Sequence, residues 1–102
     1  MKSYERLVNL ILQMKILRRD SLDSKNYSSV KKKAIALFVE LYATIQQKNI
    51  NVSDMKPSPD AIVPTLNDID TYSVEDQDRK YGVIIRMVNE LIRRVYQKES
   101  LR

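Results

Sequence analysis

The chain has 102 residues, a net charge of +5, and no histidine, cysteine or tryptophan. It therefore lacks the usual general base at neutral pH, a thiolate nucleophile and the imidazole or thiolate metal ligands, and its single glycine cannot form a phosphate-binding loop. We predict a non-catalytic binding protein without a cofactor or metal, folded as one helical-bundle domain over residues 1–102.

The same composition favours a cytoplasmic location. A chain without cysteine lacks the disulfide framework of small secreted domains. The first residues do not resemble a signal peptide, because Asn9, Gln13 and Lys15 interrupt their apolar stretch. No apolar run approaches the roughly 18 residues that span a bilayer. We expect the mature protein to be the whole chain.

Charge is segregated along the sequence. Residues 1–50 carry 10 basic and 4 acidic side chains, residues 51–78 carry 1 and 7, and residues 79–102 carry 7 and 2. If the two basic ends fold side by side, they form one cationic surface, and the middle segment forms an anionic one.

Apolar spacing predicts a first helix over residues 3–19. Its inward face carries Leu7, Leu10, Ile11, Met14 and Leu17. Further apolar residues widen this stripe and predict contacts on two sides of the helix: Val8, Leu12 and Ile16. The polar stretch 20–26 then ends the helix.

A second helix is predicted to begin near Ser28, with Ser24, Asn26 or Ser28 as its candidate cap, and to end near Lys48 or Asn49. Its inward residues are Val30, Ala34, Leu37, Phe38, Leu41 and Ile45. Residues 49–58 contain Asn, Ser, Asp and Pro without sustained periodicity, which predicts a loop.

A short third helix is predicted to begin at Ser58, Pro59 and Asp60, because serine suits the N-cap and proline the first helical position. Pro64 follows about one turn later and predicts a bend or a restart near Val63. The inward residues of this helix are Ile62, Leu66 and Ile69.

Ser73, followed by acidic residues, predicts the start of a long fourth helix. Its apolar stripe comprises Tyr81, Ile84, Ile85, Val88, Leu91, Ile92 and Val95. Gly82 within it costs about 1 kcal/mol relative to alanine. The sequence thus predicts an all-α, antiparallel four-helix bundle whose third helix is short and interrupted by proline.

The acidic stretch 68–78 offers carboxylates of the kind that calcium prefers, but its spacing does not fit an EF-hand loop. Counted from Asp68, the sixth position is Ser73 where glycine is required, and the twelfth is Arg79 where glutamate is required. We interpret these acids as charges that favour helix starts. Nothing in the sequence indicates a cleft with paired catalytic carboxylates.

Lys31, Lys32 and Lys33 offer a second hypothesis, in which the chain binds nucleic acid. Three consecutive lysines spread over about 200° of a helix, which disperses their charge. The links between helices also lack the tight turn of a helix-turn-helix motif. We therefore disfavour nucleic acid as a partner, while a regulatory bundle that binds nucleic acid or another protein stays open as the alternative.

Residues 86–96 form a basic amphipathic helix with a tyrosine at its end, a pattern that suits contact with an anionic membrane surface or a membrane protein. With an opening apolar helix at residues 4–17, a second at 30–45, and a basic helix at 81–96 followed by a short tail at 97–102, the chain resembles the bacteriocin immunity proteins of Gram-positive bacteria, in particular the enterocin A immunity group.

The resemblance implies a protein that stays inside the producing cell and gives self-protection against a pore-forming bacteriocin. In that family the protein acts at the peptide's membrane receptor, a sugar phosphotransferase permease, and the C-terminal part sets specificity. The implied partner is the receptor, its complex with the bacteriocin, or both, with peripheral contact at the membrane surface. The implied partner-binding residues are Arg86, Arg93, Arg94, Tyr96 and Lys98.

Overall fold

The computed structural model describes residues 2–20 and 24–100 and contains four α-helices there. They are α1 (Lys2–Asp20), α2 (Ser24–Gln47), α3 (Ile62–Asp68) and α4 (Val74–Ser100). Single 3-10 turns flank α3 at Pro59–Ala61 and Ile69–Thr71, and no strand occurs in these two ranges. The fold is the predicted all-α four-helix bundle.

The helices α1 and α2 form an antiparallel pair. Near one end of this pair, the hydroxyls of Tyr4 and Thr44 are hydrogen-bonded at 2.7 Å. The buried side chains of the two helices are Leu7, Ile11, Met14, Tyr27, Ala34, Phe38, Leu41 and Ile45. The helix α2 begins at Ser24, one turn before the predicted start near Ser28 but at one of the three candidate caps, and the buried Tyr27 has its hydroxyl 3.5 Å from that of Tyr81.

Only part of the widened apolar stripe of α1 is buried against the rest of the chain. The helix contacts both α2 and α4, as its width predicts. Val8 packs partly against the core, but Leu12 and Ile16 are 40% and 59% exposed. These two side chains point away from the chain's own core.

The end of α2 is fixed by local backbone chemistry. Asn49 adopts a left-handed conformation with φ of 55°, and its N–H donates to the carbonyl of Gln46 at 3.1 Å. The N–H of Ile50 donates to the carbonyl of Ile45 at 3.0 Å. This pair of bonds is a Schellman motif, which satisfies carbonyls that the helix leaves without partners. The predicted loop follows it.

The start of the third helical segment is the predicted one. Ser58 Oγ accepts from the N–H of Asp60 at 3.3 Å, and Pro59 follows the cap. The predicted restart near Val63 corresponds to the change from 3-10 to α geometry at Ile62. Pro64 is the third residue of α3, where a helix has no internal partner for the backbone N–H in any case.

The fourth helix begins one residue after Ser73, whose Oγ accepts from the N–H of Asp76 at 3.2 Å. Its buried stripe comprises Gln77, Tyr81, Ile84, Met87, Val88, Leu91, Ile92 and Val95. Gly82 is exposed, and a Cβ at this position would meet nothing within 4 Å. Across the two described ranges, no helix is both long and apolar enough to cross a membrane.

Candidate partner-binding site

The site is set by the different lengths of α3 and α4. With 7 residues, α3 is about 10 Å long, whereas the 27 residues of α4 extend over about 40 Å. The chain from Ile50 to Thr65 runs along α4 in the opposite direction, because the carbonyl of Asn51 accepts a hydrogen bond from Arg94, whereas Thr65 lines the same hollow as Arg79. Irregular backbone therefore covers a part of α4 that a longer third helix would cover.

Two adjoining hollows separate this segment from α4, and each has a volume of about 280 Å³. The first is lined by Pro57, Ala61, Ile62, Thr65, Arg79, Lys80, Val83, Ile84 and Met87. The second is lined by Asp54, Met55, Lys56, Val83, Arg86, Met87, Glu90 and Arg94. Because Val83 and Met87 belong to both, the hollows form one surface feature, which we name the α4 groove.

Arg94 closes one end of the α4 groove. Its guanidinium donates to both carboxylate oxygens of Asp54 at 2.8 Å, to the carbonyl of Asn51 at 3.0 Å and to Glu90 at 2.7 Å. The side chain is 19% exposed. Arg94 therefore holds the loop against α4, and its hydrogen-bonding groups are engaged within the chain.

These ion pairs shift the acidity of their members. Hydrogen bonds from Arg93 and then from Arg94 lower the pKa of Glu90 to about 2. The hydrogen bonds from Arg94 also lower the pKa of Asp54, and both carboxylates raise the pKa of Arg94. A guanidinium stabilises an ionised carboxylate by charge and by hydrogen bonding. The cluster is therefore fully ionised at neutral pH.

Four of the five residues assigned to recognition lie along one side of α4. Arg86 is on the wall of the α4 groove, and Arg93, Arg94 and Lys98 line a further hollow beside Asn51. Arg93 forms an ion pair with Glu90. Arg86 and Lys98 are exposed and form no ion pair with any residue that the structure describes.

Tyr96 does not join this surface. Its hydroxyl donates to Glu5 Oε1 at 3.1 Å, which places the ring against α1. Partial burial and then this hydrogen bond raise the pKa of Tyr96. Its described contact is thus between helices of the same chain.

The residues that sequence reasoning missed are the apolar pair Val83 and Met87 and the cations Lys56, Arg79 and Lys80. One signal for them was present. Val83 and Met87 are spaced by four residues, and Met87 belongs to the buried stripe of α4, so the apolar face of this helix is wider than the predicted one.

The three consecutive lysines of α2 do not share the same surroundings. Lys31 is half-buried and donates to the carbonyl of Asn67 at 2.7 Å, with Asp70 at 3.5 Å. Lys32 and Lys33 are exposed. The pairs Lys31–Asp70 and Arg94–Asp54 both join a basic end of the chain to its acidic middle. Part of the segregated charge is therefore neutralised within one molecule.

Within the described ranges, no group of three or more carboxylates is close enough to hold a metal ion. The acids Glu75 and Asp76 lie in the first turn of α4, in agreement with their interpretation as helix-start charges. Comparisons of the chain with protein-family models, with curated proteins and with solved structures found no match.

Proposed function

We propose that this chain is a non-catalytic protein that protects its cell against a pore-forming bacteriocin. In this proposal it binds the membrane receptor complex of the bacteriocin from the cytoplasmic side, through the outer side of α4. The observation that carries the proposal is the α4 groove, in which apolar side chains line a hollow next to basic ones on the helix that the family resemblance implicates in recognition.

Two cations on this side of α4 are available to a partner. Arg86 and Lys98 are exposed and make no ion pair with a described residue, whereas Arg94 is engaged with Asp54 and Glu90. We therefore assign recognition chiefly to Arg86 and Lys98, and we assign Arg94 to holding the loop in place. Each basic residue near an anionic leaflet contributes about 1 kcal/mol of attraction, which favours peripheral contact with the membrane.

A protection assay tests this proposal. The chain is expressed in a sensitive Gram-positive strain and challenged with a panel of pediocin-like peptides. The test variant is Arg86→Glu/Lys98→Glu, and the matched control is Lys32→Glu/Lys33→Glu, which makes the same charge change on exposed residues of α2. We expect protection against at least one peptide, lost in the test variant and kept in the control, with unchanged helical circular dichroism in both.

Two results would contradict the proposal. Absence of protection against every peptide would remove the immunity function, and steeply salt-dependent binding to duplex DNA would then support the nucleic-acid alternative. Equal loss of protection in the test and control variants would show that total charge matters and that the side of α4 does not.

A further inference from the structure

We infer that the α4 groove binds an acidic amphipathic helix of about three turns. This inference rests on the proposed function only in assigning that helix to a protein partner. Four features of the groove support an acidic helix as its occupant: shape, polarity, charge and length.

The first observation concerns shape. The short helix α3 leaves most of the length of α4 uncovered. The loop that lies beside α4 leaves an elongated hollow between itself and this helix. Amphipathic helices commonly bind in such a groove between helical elements, with their apolar face inward. A bilayer presents a flat surface, so a concave site of this kind favours a protein segment.

The second observation concerns polarity. The wall formed by the first 3-10 turn and α3 includes Ala61 and Ile62, and the wall that α4 contributes includes Val83, Ile84 and Met87. A hollow of about 280 Å³ with these walls has room for a large aliphatic or aromatic side chain. Methionine adapts its shape to different partners, which suits a recognition surface.

The third observation concerns charge. The acids Asp54 and Glu90 at the groove are both bonded to Arg94. The cations Lys56, Lys80 and Arg86 have no carboxylate partner among the described residues, and the ammonium of Lys80 lies 4.3 Å from the centre of the Tyr72 ring. The charge left for a partner is positive, so the complementary occupant is acidic.

The fourth observation concerns length. The groove extends along α4 from Arg79 to Glu90, and the Arg94 bridge to Asp54 closes it beyond that point. Eleven steps along a helix cover about 17 Å, which matches a docked helix of about three turns. Its apolar residues would recur at i, i+3, i+4 and i+7, and its acids would flank them.

Fluorescence anisotropy with designed peptides tests this inference at about 0.15 M salt, where long-range charge effects are screened. The probe is a fluorescein-labelled peptide of about 14 residues, with leucine at the four spaced positions and glutamate and alanine elsewhere. One control peptide scrambles the same composition, and another replaces every glutamate with lysine. Phosphatidylglycerol vesicles provide a lipid comparison.

We expect the intact chain to bind the acidic amphipathic peptide at least about tenfold more tightly than either control peptide. Lys56→Glu/Arg86→Glu, which changes two exposed residues, should weaken binding by about tenfold or more. Val83→Asp should weaken it similarly by placing a charge on the apolar wall. Lys32→Glu/Lys33→Glu on α2 should leave the affinity unchanged, and circular dichroism confirms the fold of each variant.

Equal binding of the acidic and scrambled peptides would overturn the inference, since charge alone would explain it. Binding to vesicles without binding to the acidic peptide would overturn it in favour of a lipid surface. Protection in cells without peptide binding would reject this inference and leave the proposed function standing. Peptide binding without protection would support the groove and reject the immunity function.

Discussion

The helices α2 and α4 each carry a cluster of basic side chains, and the two clusters differ in their surroundings. On α2, Lys31 is held by Asp70 and the carbonyl of Asn67, while its two lysine neighbours are exposed. On α4, the basic residues border an apolar groove. Similar charge thus forms ion pairs where it meets the acidic middle of the chain, and we propose that it serves recognition where it borders the apolar lining of the α4 groove.

The largest expected effect on stability comes from Arg94. We predict that Arg94→Met lowers the free energy of unfolding by about 2 kcal/mol, because it removes hydrogen bonds from a charged group that is 19% exposed. Urea denaturation followed by circular dichroism measures this loss. Arg93→Met is the matched control, since Arg93 pairs only with Glu90 among the acids described, and we expect a much smaller loss because its ion pair is exposed to solvent. Equal losses in the two variants would contradict a special role for the Arg94 bridge.

Acid should weaken the same bridge, by less than Arg94→Met does. Folding lowers the pKa of Glu90 from 4.5 to about 2 and lowers that of Asp54, so the unfolded chain binds more protons as the pH falls. Stability from these carboxylates is complete above about pH 5 and decreases towards pH 2. Urea denaturation at a series of pH values should show a smaller decrease for Arg94→Met than for the wild type. Parallel curves for the two chains would contradict this prediction.

Lys31 should have a smaller effect than Arg94. We predict that Lys31→Met lowers the free energy of unfolding by about 1 kcal/mol, because the half-buried ammonium loses its hydrogen bond to the Asn67 carbonyl and its ion pair with Asp70. Thermal and urea denaturation both measure the change. An unchanged denaturation midpoint would show that Lys31 behaves like its two exposed neighbours. The contact of Lys31 with Asn67 and Asp70 would then not stabilise the fold.

The smallest effects are expected for the exposed lysines of α2. We predict that Lys32→Met and Lys33→Met each change the free energy of unfolding by no more than about 0.5 kcal/mol, as is usual for exposed positions without a defined contact. The same denaturation series measures both variants. A loss as large as that of Lys31→Met would show that the lysine run stabilises the fold as a unit.

Local chemistry made much of the fold predictable. The caps at Ser58 and Ser73 were predictable because each depends on residues within one turn of the chain. The start of α2 was predicted one turn late, near Ser28, although Ser24 was a candidate cap, and the contact that Tyr27 makes in this first turn is with Tyr81, 54 residues away. The polar residues next to Tyr27 predict a break between helices, so they do not indicate this contact. Tertiary packing outweighs that local preference.

The site was less predictable for the same reason. Arg94 meets Asp54 across 40 residues, and Tyr96 meets Glu5 across 91. A periodic pattern identifies the face of a helix that is basic, but it does not identify which charges are paired elsewhere in the chain. Sequence reasoning therefore grouped Tyr96 with Arg86, although the two side chains lie on different surfaces.

The open space around Gly82 has a practical consequence for measuring partner binding. Because the chain contains no cysteine, Gly82→Cys would introduce its only thiol, at an exposed helical position where a Cβ meets no neighbour. Replacing glycine within a helix also removes an unfavourable backbone propensity. A nitroxide or fluorophore attached there would report on α4 from a residue outside the groove lining, in a protein with no other site for the label.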